Sequence, residues 1–134
     1  MADAVHEVSR GEPRSVALVT GATGAIGRAI AERIAERPGY EVVLVCRDAA
    51  KAEAAVESIR QRSGNPHVRH EIADLSRRAS IRALAGRWRG PLRALINNAA
   101  VTPRRREETP EGIELQFATN VLGYFCLRFR VVGE

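Results

Sequence analysis

Hydrophobic residues along this chain fall into short runs that alternate with stretches of helical periodicity. The first run, Val16-Ala-Leu-Val-Thr20, has polar residues before it and a glycine after it, which is typical of a buried parallel strand. The next stretch places Ile26, Ile30 and Ile34 on one helix face, and Pro38-Gly39 ends it. The alternation recurs three more times. We predict strands over 16–20, 41–46, 68–72 and 93–97, and helices over 25–37, 49–62, 76–88 and about 111–127.

Strands joined by helices imply a parallel sheet with right-handed crossovers and helices on both faces. The fold class predicted is therefore α/β, a doubly wound Rossmann-type sheet, truncated after about four strands. A strand order of 3-2-1-4 would place a ligand crevice between strands 1 and 4, where the winding reverses.

The helix predicted over 111–127 has a favourable start and an apolar face. Thr109 is a suitable cap and Pro110 suits the first helical position. Ile113, Phe117, Val121 and Phe125 follow at helical spacing and line one face. This face and the outer edge of the fourth strand lack cover, so we expect the isolated chain to be marginally stable and to self-associate through one of them, or to need a partner.

Length and composition indicate one domain and exclude several classes of protein. The chain has 134 residues, of which 45% are hydrophobic, and no apolar run approaches the length of a membrane span. Residues 1–14 form a polar tail without the apolar core of a secretory signal. Cys46 and Cys126 suggest neither a disulfide framework nor a metal site, so a cytoplasmic location is expected.

The net charge of +5 comes almost entirely from arginine, since Lys51 is the one lysine among 21 basic residues. Apart from a short run over 104–106, the arginines are scattered. Aromatic residues make up 4% of the chain and do not interleave with them, as a base-stacking surface requires. We therefore expect no nucleic-acid partner.

The turn after the first strand is rich in glycine, Thr20-Gly-Ala-Thr-Gly-Ala-Ile-Gly27. Glycine allows a tight turn and lets a pyrophosphate approach the amides at a helix N-terminus. A strand before this turn, a helix after it and a second strand downstream match a dinucleotide-binding unit better than a plain connection. The cofactor-binding residues predicted here are Gly21, Thr23, Gly24, Ala25, Ile26 and Gly27.

The end of the second strand carries a basic residue where a NAD site needs an acidic one. A carboxylate there would bind the ribose 2′-hydroxyl, whereas this chain has Arg47. A guanidinium can hold a 2′-phosphate through two parallel bonds. NADP is therefore predicted over NAD, unless Arg47 only ends the strand and pairs with Asp48.

These motifs resemble the short-chain dehydrogenase/reductase family, and Cys46-Arg47-Asp48 resembles its retinol-dehydrogenase-like branch. The resemblance extends over about 15–127, which would leave 128–134 as a tail outside the family. It implies that Asp74 and Leu75 border the adenine ring and that Asn98, Ala99 and Ala100 pass the cofactor ribose. It also implies that Asn120 belongs to the catalytic tetrad. An asparagine inside an apolar helix is locally unfavourable, as is expected at functional sites.

Two residues depart from the family pattern, and one motif is missing. Ala25 and Ala100 stand where the family usually has glycine, and the spacing of Gly21, Gly24 and Gly27 resembles the extended, epimerase-like branch. The family's proton donor is the tyrosine of a Tyr-x-x-x-Lys pair. Arg47, not tyrosine, stands four residues before Lys51, so the pair is absent.

The sequence leaves three alternative hypotheses for the function. The first is an oxidoreductase by lineage that transfers hydride between NADP and a small-molecule alcohol or carbonyl compound, such as a retinal-like or other lipophilic one, in a truncated form without activity alone. The second is a non-catalytic nucleotide-binding or protein-interaction module. The third is a fragment of an extended-branch, epimerase-like sugar-nucleotide enzyme, against which Arg47 argues.

Overall fold

A computed structural model describes residues 11–132. Four strands alternate with helices along the chain. The strands are β1 (Ser15–Thr20), β2 (Tyr40–Cys46), β3 (Val68–Ile72) and β4 (Ala94–Ile96). The helices between them are α1 (Ala25–Ala35), α2 (Ala49–Ser63) and α3 (Arg78–Arg87). These seven predicted elements are all present, and their ends shift by no more than two residues.

The strands form one parallel sheet in the order β3-β2-β1-β4, which confirms the doubly wound fold. In register, Thr20 of β1 lies beside Val45 of β2, and Val19 lies beside Ile96 of β4. The carboxyl ends of β1 and β4 therefore lie side by side where the winding reverses. Among residues 11–132, β4 has a strand neighbour on one side only.

Successive side chains of the strands enter two separate cores because they point to opposite faces of the sheet. Val19, Val42 and Leu44 pack against α1 and α2 on one face. Leu18 and Val43 pack against α3 and the helical stretch that follows β4 on the other. Both faces of the inner strands are buried, as expected for a parallel sheet covered by helices.

Charged side chains lie along β3, the strand at one edge of the sheet. The Arg69 guanidinium pairs with Glu41 of β2 at 2.8 Å and with Glu71 at 3.0 Å. The other Glu71 oxygen binds Arg87 of α3 at 2.6 Å. Arg69 also lies 5.6 Å from the Trp88 ring centroid. Inter-element charges of this kind keep an edge strand from pairing with a foreign strand.

The helix after β4 starts later than the sequence predicted, and its winding is irregular. It runs through four consecutive segments, which together we call the last helix. Leu115–Phe117 and Gly123–Leu127 are α-helical, whereas Ala118–Leu122 and Arg128–Val132 wind as π-helix. The predicted end near residue 127 was wrong, because helical backbone continues to Val132.

The predicted cap at Thr109 was also wrong. The Thr109 hydroxyl accepts a hydrogen bond from the Ile113 N–H in a turn that Gly112, with φ +79°, allows. The cap is Glu114, whose carboxylate accepts from the N–H groups of Gln116 and Phe117 at 2.9 and 2.7 Å. These two donors lower the pKa of Glu114. This cap therefore weakens as the pH falls through that lowered pKa.

The close packing of the last helix can be tested by replacing Gly123, which lies in it, and Gly86 of α3, which serves as the control. A Cβ on Gly123 would collide with the backbone carbonyl oxygen of Leu75, whereas a Cβ on Gly86 of α3 would meet nothing within 4 Å. Alanine is the better helix former by about 1 kcal/mol. We expect Gly123→Ala to lower the free energy of unfolding despite that preference, and Gly86→Ala to raise it by up to about 1 kcal/mol. Urea denaturation measures both, and equal effects of the two substitutions would contradict the close packing.

Candidate cofactor-binding site

A cavity of about 480 Å³ opens at the carboxyl ends of β1, β2 and β4. This is the size of a typical small-molecule site, and its place in the sheet is the crevice predicted from strand order. It is lined by eleven predicted cofactor residues: Gly21, Thr23, Gly24, Ala25, Ile26, Gly27, Arg47, Leu75, Asn98, Ala99 and Ala100. It is also lined by five that sequence reasoning missed: Val45, Cys46, Ala73, Val101 and Thr119. Asp74 and Asn120 are not among the lining residues.

The glycine-rich turn is shaped by one left-handed residue and two close approaches. Gly21 has φ +68°, and a Cβ on it would lie 2.6 Å from the Ala99 Cα. A Cβ on Gly27 would lie 2.5 Å from the Gly21 carbonyl oxygen. Gly24 caps α1 without a side chain, which leaves the first amides of the helix beside the cavity. Helix N-terminal amides of this kind bind anions.

Thr20 joins the two strands that flank the crevice. Its hydroxyl donates to the Ile96 carbonyl at 3.2 Å and accepts from the N–H groups of Asn98 and Ala99 at 3.0 and 3.1 Å. One donor and two acceptor positions are all that a hydroxyl has, so Thr20 is fully satisfied. A threonine that ends a buried strand is the sequence signal that could have identified this residue.

Asn98 adds a second connection between the same segments. Its side-chain amide donates to the carbonyl oxygens of Thr20 at 3.1 Å and Gly21 at 3.3 Å. The glycine turn is thereby held against the segment after β4, and Asn98 itself lines the cavity.

Arg47 lies exposed at the rim of the cavity, directly after β2. Asp48, with which it could have paired, serves another purpose: its carboxylate accepts from the Lys51 N–H at 3.0 Å and caps α2. The guanidinium is therefore left beside the cavity.

Cys46, beside Arg47, lies at the wall of the cavity. Burial raises the pKa of its thiol, although hydrogen bonds from the backbone of Ala22 and Thr23 act in the opposite direction. The thiol is therefore held mainly in its neutral form.

Asp74 lies beside the cavity but is engaged elsewhere. Its carboxylate accepts from the backbone N–H and the hydroxyl of Ser76, at 2.9 and 2.7 Å, and its own N–H donates to Ser80 at 2.8 Å. The structure thus uses Asp74 to close the turn before α3. Its role at an adenine ring stays a prediction.

Asn120 is held in the π-helical segment of the last helix, away from the cavity wall. Its side-chain oxygen accepts from the Val101 N–H and its amide donates to the Val101 carbonyl, both at 2.9 Å. The Asn120 side chain therefore bonds both backbone groups of Val101, as a residue on a neighbouring β-strand would. Because Val101 lines the cavity, Asn120 positions the cavity wall through it.

Tyr124, one helical turn after Asn120, lies near Thr20. Burial raises the pKa of its hydroxyl, and the neighbouring Thr20 side chain acts in the opposite direction. The last helix thus approaches the glycine turn with a neutral phenol.

The sequence model that describes the short chain dehydrogenase family matches residues 15–132 of this chain. The chain belongs to this family. Bovine dehydrogenase/reductase SDR family member 12 is 41% identical over 117 residues, and mouse retinol dehydrogenase 13 is 41% identical over 118. Each alignment covers 86% of this chain but only 37% and 35% of the relative. The chain thus spans little more than a third of these relatives' length.

Solved short-chain dehydrogenases share the fold. The enzyme from Sphingobium yanoikuyae in complex with NADPH superposes with a TM-score of 0.71 at 36% identity, covering 87% of this chain and 46% of that one. L-sorbose reductase from Gluconobacter frateurii, complexed with NADPH and L-sorbose, gives 0.74 at 26% identity, covering 91% and 48%. No helix among residues 11–132 has both the length and the apolar character needed to cross a membrane.

The two hydrogen bonds of Asn120 can be tested directly. Asn120→Ala would leave the N–H and carbonyl of Val101 without partners, and we expect it to lower the free energy of unfolding by about 1–3 kcal/mol. The exposed Asn97, one residue after β4, is the matched control, and Asn97→Ala is expected to have little effect. Chemical denaturation compares the two. Equal, small losses would show that Asn120 does not hold this wall.

Proposed function

We propose that this chain forms the NADP-binding part of a short-chain oxidoreductase that acts on an alcohol or carbonyl compound. The observation that carries the proposal is the placement of Arg47 and the uncapped N-terminus of α1 on one cavity. The helix terminus suits a pyrophosphate, and the guanidinium suits a 2′-phosphate. Complexes of related enzymes with NADPH support the same cofactor.

The residues that would hold the cofactor fit its shape as well as its charge. Gly21 and Gly27 leave no room for a Cβ, because it would collide with Ala99 or with the Gly21 carbonyl oxygen, so the turn packs tightly against the segment after β4 while its residues line the cavity. Leu75 and Ala73 give the opposite side of the cavity an apolar wall suited to a flat ring. When bound, the nicotinamide would supply hydride chemistry.

Asn120 is proposed as a positioning residue for this reaction. It fixes Val101, and in the family the same asparagine helps to hold a lysine and its water. Relatives named retinol dehydrogenase and polyprenol dehydrogenase favour a lipophilic alcohol as substrate. The two free cysteines of the structure favour a reducing compartment such as the cytoplasm.

Cofactor selectivity depends on Arg47. A charge-assisted contact to a phosphate contributes about 1.5–3 kcal/mol, so Arg47→Ala should weaken NADPH binding by about ten-fold or more and leave NADH binding nearly unchanged. Fluorescence titration of both nucleotides measures this. Arg33→Ala, on the exposed side of α1, is the control for general loss of charge. Equal affinity of the original chain for both nucleotides would refute the NADP assignment.

Turnover by these 134 residues is expected to be absent. The only lysine, Lys51, has no tyrosine four residues before it, and positioned acid–base groups contribute about 10²–10⁴-fold to rate. NADPH oxidation followed against panels of aldehydes and ketones measures this, with nucleotide binding as the control for folding. NADPH-dependent reduction by the purified chain, lost in Asn120→Ala, would show that the chemistry lies within these residues. Binding without turnover is also what a non-catalytic nucleotide-binding module would show.

A further inference from the structure

Two threonines line the cofactor cavity, and they differ in their surroundings. Thr23 belongs to the glycine-rich turn and is exposed. Thr119 lies in the π-helical segment of the last helix and is only 7% exposed. A hydroxyl that is largely removed from water normally has a hydrogen-bond partner, because leaving it without one is unfavourable. The partner of the Thr119 hydroxyl therefore indicates what the cavity binds.

The Thr119 hydroxyl has no hydrogen-bond partner among residues 11–132, whereas its neighbour Asn120 has two bonds to Val101. The hydroxyl is not enclosed by protein either, since it is not one of the fully buried side-chain atoms that lack a partner in this part of the chain. Thr119 lines the cavity, so its oxygen is open to that space. The group that completes its hydrogen bonding must come from the contents of the cavity.

A structural hydroxyl in a helix is used differently. The Ser63 hydroxyl, in α2, donates to the carbonyl of Ile59, four residues earlier, at 2.6 Å. Hydroxyls inside helices often bond the backbone in this way. Thr119 makes no corresponding bond within the described part of the last helix. The helix therefore does not use this hydroxyl for its own stability.

Thr119 lies close to the apolar wall of the cavity. Gly123, about one turn after Thr119, packs so closely on Leu75 that a Cβ would collide with the Leu75 carbonyl oxygen. Leu75 and Ala73 form the apolar wall. The Ala73 N–H donates to the Cys46 carbonyl at 2.9 Å, which fixes this wall beside the end of β2. The hydroxyl, the apolar wall and the end of β2 therefore belong to one part of the cavity.

That part of the cavity is where the adenine half of NADP would lie, a step that rests on the proposed function. In NADP the 2′-phosphate is attached to the ribose that carries adenine, so a phosphate held by Arg47 brings the ring to the apolar wall. The faces of adenine can stack on Leu75 and Ala73, but its edge carries an amine donor and ring-nitrogen acceptors. This edge needs a polar partner when the ring leaves water.

We propose that the Thr119 hydroxyl forms a hydrogen bond with the polar edge of the adenine ring. A hydroxyl can donate to a ring nitrogen or accept from the amine, so it suits this edge in either orientation. Asp74, which was expected to border the ring, does not line the cavity, and its Oδ1 accepts both hydrogen bonds from Ser76. Thr119 recognises the base, and Arg47 recognises the 2′-phosphate.

Two substitutions separate the hydroxyl of Thr119 from the shape of its side chain. Thr119→Val keeps the shape and removes the hydroxyl, and we expect NADPH to bind about three- to ten-fold more weakly, as for one lost hydrogen bond. Thr119→Ser keeps the hydroxyl and should retain most of the affinity. NADH carries the same adenine, so Thr119→Val should weaken its binding by the same factor, whereas Arg47→Ala should affect NADPH alone. Fluorescence titration measures all of these affinities.

Thr102→Val is the matched control, because Thr102 is exposed and does not line the cavity. It should bind both nucleotides as the original chain does. In the absence of nucleotide, Thr119→Val should be at least as stable in urea as the original chain, since it loses no hydrogen bond to protein. A clear loss of stability would show that the hydroxyl has a structural role and would overturn the proposal.

Halves of the cofactor locate the contact. Adenosine 2′,5′-bisphosphate carries the adenine half, and reduced nicotinamide mononucleotide carries the other half. Calorimetry should show that Thr119→Val binds the bisphosphate about three- to ten-fold more weakly and the mononucleotide unchanged. The etheno derivative of NADPH, in which a two-carbon bridge blocks the amine and a ring nitrogen, should bind the original chain and Thr119→Val with equal affinity.

The results distinguish a failure of this inference from a failure of the proposed function. Unchanged NADPH affinity in Thr119→Val, or a loss seen with the mononucleotide in place of the bisphosphate, would overturn the role of Thr119. If Arg47→Ala still weakens NADPH binding in the same experiments, the proposed function stands without it. An original chain that binds neither NADPH nor NADH would overturn both.

Discussion

The contact between the turn after β1 and the segment after β4 is the constraint on which the rest of the site depends. The Thr20 hydroxyl bonds three backbone groups of β4 and its following turn, and the Asn98 side chain donates to the carbonyl oxygens of Thr20 and Gly21. With both segments held together, the first turn of α1 and the segment after β4 line the same cavity. Gly21 and Gly27 are required because side-chain atoms at either position would occupy the space of this contact. The cavity is therefore a product of backbone proximity more than of side-chain choice.

The fold was predictable because its periodicities are strong. Every strand and helix was identified, and strand order placed the crevice correctly, because buried parallel strands read as short β-branched runs between helical stretches. The start of the last helix was not predictable from Thr109 and Pro110. Both are favourable in isolation, but Gly112 takes a left-handed turn that lets Glu108 bridge Glu114, and a carboxylate five residues later provides the cap. The helix-start propensity of Thr109 and Pro110 was outweighed by the backbone bridge between Glu108 and Glu114, which the hydrophobic periodicity of the sequence does not reveal.

At the site, the glycine turn was the easiest part to predict and side-chain roles were the hardest. Residue type and spacing indicated the loop. They could not show that the Asp74 carboxylate accepts a hydrogen bond from Ser76, or that Asn120 acts on the cavity wall through its hydrogen bonds to Val101. Both depend on distances across elements. Asn120, whose residue type is unfavourable inside an apolar helix, lies in a π-helical segment of the last helix. Bulges of this kind often occur at functional positions, where an extra residue per turn redirects a side chain.

The ion pairs along β3 make the two edges of the sheet different. At that edge, Arg69, Glu41, Glu71 and Arg87 tie β3 to β2 and α3. At the opposite edge, β4 offers three residues that are neither fully buried nor charged. A further strand is therefore favoured beside β4 and disfavoured by the charged side chains beside β3. The edge that favours a further strand is therefore the one nearest the cofactor crevice. A parallel strand added there would bring its own carboxyl end, and the side chains that follow it, to the same rim as Arg47.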